Sequence, residues 1–138
     1  MKAKEYLGQA FRIDQRINSK IEQVSSLHSL AIKATSTLSD MPGSATRNTH
    51  RMEDIIVKIV DMEQEISCDI DRLVNLKQEI TQVIHKVENL EYQTLLELRY
   101  MCFKTWEHIA VEMGYGIDNI YKMHKKAMAE IRIPATLQ

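Results

Sequence analysis

At 138 residues the chain has room for one domain, or one domain with an appendage, and its net charge of −1 excludes a molecule that captures nucleic acid by overall charge alone. Four Gly and two Pro leave few turns, and eight Met among few aromatics favour helices over sheets. No apolar run approaches the ~20 residues of a membrane span. Residues 1–16 lack the apolar core of a signal peptide, and Cys68 and Cys102 have no CxxC spacing, so a cytoplasmic protein with no membrane partner is expected.

Two heptad tracts dominate the first ninety residues. In the first, the inward a and d positions read Ala3, Tyr6, Ala10, Ile13, Ile17, Lys20, Val24, Leu27, Ala31 and Ala34. In the second they read Met52, Ile55, Ile59, Met62, Ile66, Asp69, Leu73, Leu76, Ile80, Val83, Val87 and Leu90. A 3.5-residue repeat held this long predicts coiled-coil helices, each roughly 50–60 Å long. Between them, residues 39–50 hold Pro42 beside Gly43, the turn-forming cluster of this region. A loop there lets residues 1–90 form a long antiparallel helical hairpin. If the chain reverses symmetrically about 39–50, the two polar breaks in the heptads, Lys20 and Asp69, lie level. They are then expected to meet as a partly buried ion pair, and the competing expectation is that each side chain snorkels to water.

The apolar stripe is wider than a two-helix seam requires. Leu7 and Ile21 on the first helix, and Ile56, Ile70 and Ile84 on the second, fall at e positions. They are expected to form an association face that makes a homo-oligomer, most simply a dimer. The alternative is that the C-terminal helices fold back over them.

Beyond residue 90 the heptad ends and the period shortens, which predicts a three-helix domain over 91–138. The first helix spans about Glu91 to Cys102, with Leu95, Leu98 and Met101 inward. Thr105 is placed to cap a second helix, Trp106 to Met113, and Gly114 to end it in left-handed geometry. A third helix runs from near Ile117 to Ile131 or Arg132, ahead of Pro134. Two short helices joined by a glycine-bearing turn have helix-turn-helix spacing. In the third helix Ile117, Ile120, His124, Ala127 and Ile131 share one face, and Asp118, Lys122, Lys125, Lys126 and Ala129 the opposite one, with Asn119 at its edge. Residues 119–132 carry four Lys or Arg against Glu130 alone, whereas 41–90 carry nine acids against six bases. Any anion-binding surface therefore lies near the C-terminus.

Residues 96–131 resemble the region-4 domain of bacterial sigma factors and its relatives. The matching residues are Leu98-Arg99-Tyr100, Trp106-Glu107-His108-Ile109-Ala110, Met113-Gly114 and Lys126-Ala127-Met128. A coiled-coil N-terminus joined to such a domain is similar to small phage and prophage regulators of the ArpU-like type. Gly116 departs from the Ser or Thr that usually caps the recognition helix, and Asp118 adds an acid near its tip. The chain also lacks the further domains with which a sigma factor melts a promoter.

The resemblance implies a sequence-specific, duplex-DNA-binding transcriptional regulator acting as a dimer in a bacterial or phage-infected cell. RNA polymerase or another phage protein is a further expected partner. Residues early in a recognition helix reach bases and later cations reach phosphates. Asn119 and Lys122 are thus candidates for base contacts, Tyr121 for a thymine methyl or a phosphate, and Lys125 and Lys126 for the backbone, with Asp118 beside them. A merely solvated lysine face is the plain alternative. Two other functions fit the same pattern: a protein-binding adaptor or inhibitor that uses the hairpin, and a small terminase-like DNA-recognition subunit. No phosphate loop, metal-ligand cluster or nucleophile–base spacing is found, so no enzyme, metal or cofactor is expected. His124, on the apolar face, reads as a core histidine.

Overall fold

A computed structural model of the chain describes the backbone of residues 1–38 and 45–134, and the side chains of 1–35 and 49–134. It is all-α: α1 (Ala3–Leu7), α2 (Gln9–Leu38), α3 (Ala45–His85), α4 (Leu90–Leu96), a π-helical turn (Glu97–Met101), α5 (Trp106–Met113) and α6 (Ile117–Glu130). No strand occurs among the described residues. The expected loop is shorter than drawn from composition, since residues 45–50 are already helical; residues 39–44, with Pro42 and Gly43, lie outside the described residues. Helical backbone nearly continues through Gly8, whose φ of −78° and ψ of −4° let its N–H donate to the Lys4 carbonyl at 3.0 Å.

The chain divides into two compact units, one of residues 15–71 and one of residues 1–14 with 72–138. In the first, the two helical segments run antiparallel, with Lys20 level with Asp69 and Thr35 with Met52. Ile17, Ala34 and Ile59 are buried between them, as is Asp69, and the remaining a and d residues with described side chains are half-buried. Among these apolar layers the Lys20 ammonium lies 2.7 Å from the Asp69 carboxylate and 3.5 Å from that of Glu65. The Lys20 and Asp69 side chains are only 14% and 8% accessible, so the expected pair forms and snorkelling is excluded for both.

The second unit is built on the other end of the heptad tracts. Tyr6, Leu7 and Ala10 pack with Ile80, Val83, Ile84 and Val87, and this layer continues into Leu96, Tyr100 and Ala127 of the C-terminal helices. That continuity explains why the chain does not divide at residue 90. Leu7 and Ile84, expected on an association face, are 0% exposed: the chain's own C-terminal residues cover them, as the competing reading held. Leu90, taken as the last heptad position, is exposed, because the chain leaves the helical path after His85 and restarts at the Asn89 cap.

Candidate nucleic-acid interface

Three local signals set the frame of the C-terminal helices. The Asn89 side chain accepts from the Glu91 and Tyr92 amides at 2.9 and 3.2 Å and starts α4. Thr105 accepts from the His108 amide at 3.2 Å and starts α5. Gly114, at φ 75°, ends α5; its own amide and that of Tyr115 donate to the Ala110 carbonyl at 3.0 and 3.1 Å. Two residues later Gly116 precedes α6 without a side-chain cap, and Asp118 in the first turn supplies the negative charge favoured at a helix N-terminus.

Between α4, α5 and α6 lies a second core of Leu95, Ile109, Ala110, Ile120 and Met123. Ile120 is fully buried at the corner, and Ala110 is small where α5 meets α6. Packing of Ile120, Met123 and Ala127 fixes the rotation of α6. Asp118, Asn119, Tyr121, Lys122, Lys125 and Lys126 are consequently all exposed. The structure thus brings every residue of the expected contact set onto the solvent side of one helix. Met123 escaped the sequence reading because its position lies between the two faces assigned there.

Sequence reasoning also left Arg99, Trp106 and Tyr100 without roles, although all three sit in the quoted motif. The Arg99 guanidinium lies 4.4 Å from the Trp106 ring centroid and donates to the Lys104 carbonyl at 3.0 Å. Trp106 meets His124 edge-on at 4.7 Å and Tyr121 at 5.5 Å, so it braces α6 from α5. A 2.7 Å hydrogen bond joins the Tyr100 hydroxyl to His124 Nε2. Burial, then the nearby charges of Lys4 and Arg99, lower the His124 pKa to about 4, so the imidazole is neutral at neutral pH. Burial likewise raises that of Tyr100. His124 is a hydrogen-bonded, half-buried core histidine.

On the unit of residues 15–71, three of the five expected association residues stay open: Ile21 is 49%, Ile56 48% and Ile70 43% exposed. Val57 and Val60 are exposed with them. Among the described residues, no helix is long and apolar enough to cross a membrane, and no group of three His, Cys, Asp or Glu side chains is arranged to hold a metal ion.

An all-α chain with a helix-turn-helix near its C-terminus is the class that fold and site define. The chain belongs to the family described as a protein of unknown function (DUF1492), which matches residues 33–132. No curated protein and no solved structure matches it.

Proposed function

We propose that this protein is a sequence-specific, duplex-DNA-binding transcriptional regulator of phage or prophage type, acting in the cytoplasm as a dimer. The observation that carries the reading is the two-sidedness of α6: Ile120, Met123 and Ala127 are buried, while Asn119, Lys122, Lys125 and Lys126 face water. A helix presented in this way, second in a helix-turn-helix, fits the major groove. Asn119 and Lys122 are assigned to base edges, Tyr121 to a neighbouring methyl or phosphate, and Lys125 and Lys126 to the backbone. Trp106, with the Arg99 guanidinium over its ring, braces α6 from α5 through Tyr121 and His124. The resemblance of residues 96–131 to sigma region 4 supports the same assignment. Open isoleucines at positions 21, 56 and 70 support pairing of two copies.

Those same isoleucines favour a second reading, in which the hairpin docks on RNA polymerase or another phage protein and the molecule is an adaptor or inhibitor. Fluorescence anisotropy with a labelled duplex separates the two. Under the regulator reading the wild-type chain binds with an affinity that falls steeply with salt. Replacing Lys122, Lys125 and Lys126 together by Ala abolishes binding while leaving helicity intact. Equal binding by the triple variant would remove α6 as the DNA reader.

A further inference from the structure

A cleft of about 480 Å³ opens within the unit formed by residues 1–14 and 72–138, and none of the exposed lysines of α6 lines it. Its volume lies within the range of small-ligand sites, ~300–1,000 Å³. The walls combine two kinds of side chain: the rings of Phe11, Phe103 and Trp106, and the cationic groups of Lys4, Arg12 and Arg99. Glu5 is the one carboxylate in the lining, so cations outnumber it three to one.

The two arginines are held in place without being neutralised. Arg12 Nη2 donates to the Glu5 carbonyl at 3.2 Å, and Arg99 Nη1 to the Lys104 carbonyl at 3.0 Å. Each thereby uses one of the five N–H donors of a guanidinium, with further donors available for a planar anion. Lys4, Arg12 and Arg99 form no carboxylate ion pair among the described residues. The charges of Lys4 and Arg99 are felt at His124, whose cationic form they disfavour.

Irregular backbone converges on the same place. Arg99 and Tyr100 lie on the π-helical turn Glu97–Met101, where the Cys102 amide reaches back to the Glu97 carbonyl at 3.0 Å. Phe103 follows with a φ of +59°, a conformation that bulky side chains seldom adopt. π turns and residues of this kind concentrate where a chain is shaped for a ligand. Here the strained backbone sets the Phe103 ring 5.5 Å from that of Phe11, at a tilt of 60°, with the Lys77 ammonium 4.7 Å from its centroid.

We propose that this cleft binds a nucleoside monophosphate, its base against the Phe11, Phe103 and Trp106 rings and its phosphate on Lys4 and Arg12. Base–aromatic stacking and arginine–phosphate forks are the two contacts that such a lining offers. The chain would then carry a small-molecule effector site whose Trp106 wall adjoins Tyr121 and His124 of α6, and binding there does not require that α6 read DNA.

Trp106 is the only tryptophan in the chain and lines the cleft, so its fluorescence reports occupancy directly. The full chain is titrated separately with AMP, GMP, adenosine and inorganic phosphate. AMP or GMP is expected to give a saturable change below millimolar concentration, with adenosine and phosphate each about tenfold weaker or more. Lys4→Gln and Arg12→Gln are each expected to weaken the nucleotide about tenfold with an unchanged far-UV circular dichroism spectrum. Lys4 is an exposed residue near the chain start, so its variant keeps the test valid if Arg12→Gln fails to fold. Overturning results are the absence of a saturable response to either nucleotide, phosphate binding as tightly as AMP, or wild-type affinity in folded Lys4→Gln.

Discussion

Breaking the Lys20–Asp69 pair should reveal how the helical hairpin is held in register. The two groups are 2.7 Å apart with side chains 14% and 8% accessible, so neither is well hydrated. Lys20→Met leaves Asp69, 6% exposed as a residue, without that cation among the apolar layers. Removing one partner of a fully buried pair costs about 3–5 kcal/mol, and partial access to water reduces this to roughly 2–3 kcal/mol. Asp69→Leu should cost less, about 1–2 kcal/mol, because Lys20 retains the exposed carboxylate of Glu65 at 3.5 Å. The double variant places Met beside Leu in a seam that is otherwise apolar and should be near wild type, giving a coupling of about 3–5 kcal/mol, the sum of the two single losses. Urea denaturation followed by circular dichroism, with the four proteins compared at equal denaturant slope, yields the cycle. Additive losses, with coupling under about 0.5 kcal/mol, would show that the pair neither interacts nor fixes register.

Further outcomes follow from other parts of the chain. Lys122→Ala should alter sequence preference, whereas Lys125→Ala should weaken binding to all duplexes and lower the salt slope by about one; equal, salt-independent effects would contradict the division of roles. Light scattering should give a dimer or larger for the wild type, and Ile56→Glu with Ile70→Glu should give a helical monomer; a monomeric wild type would remove the association face. Because the unfolded chain protonates His124 near its ordinary pKa of 6.5 and the folded chain only near 4, stability should fall as pH drops from about 6.5 towards 4. The full shift corresponds to about 3 kcal/mol, and partial hydration of the ring lowers the expected loss to roughly 1–2 kcal/mol. His124→Gln should flatten that slope, and an unchanged slope would locate the titration elsewhere. Gly114→Ala should cost about 1–2 kcal/mol through its φ of 75° alone, since an added Cβ meets nothing within 4 Å; a silent substitution would refute the backbone account of how α5 ends.

What the sequence made legible was chiefly local. Thr105 and Gly114 mark the ends of α5 by side-chain and backbone chemistry that acts within one turn, so both could be read directly. The Lys20–Asp69 contact was legible because two polar breaks interrupt otherwise apolar tracts at matching distances from the loop. Leu7 and Ile84 were misread for the opposite reason: an e-position side chain looks the same whether a second copy or the chain's own C-terminal helices cover it. The π-helical turn and the positive φ of Phe103 leave no trace in propensity, since no Gly or Asn marks the left-handed position. The cleft they shape joins Arg12 with Arg99, far apart in sequence, and no spacing rule connects the two.

The central claim, that α6 reads DNA sequence, is tested most directly by selecting bound fragments from random duplex DNA at two salt concentrations. The account predicts that one motif is enriched, that it persists at the higher salt while bulk recovery falls, and that a dimer yields it as two related half-sites. Recovery of unenriched fragments at low salt and of none at high salt would reduce the lysine face to a solvated surface and contradict the claim.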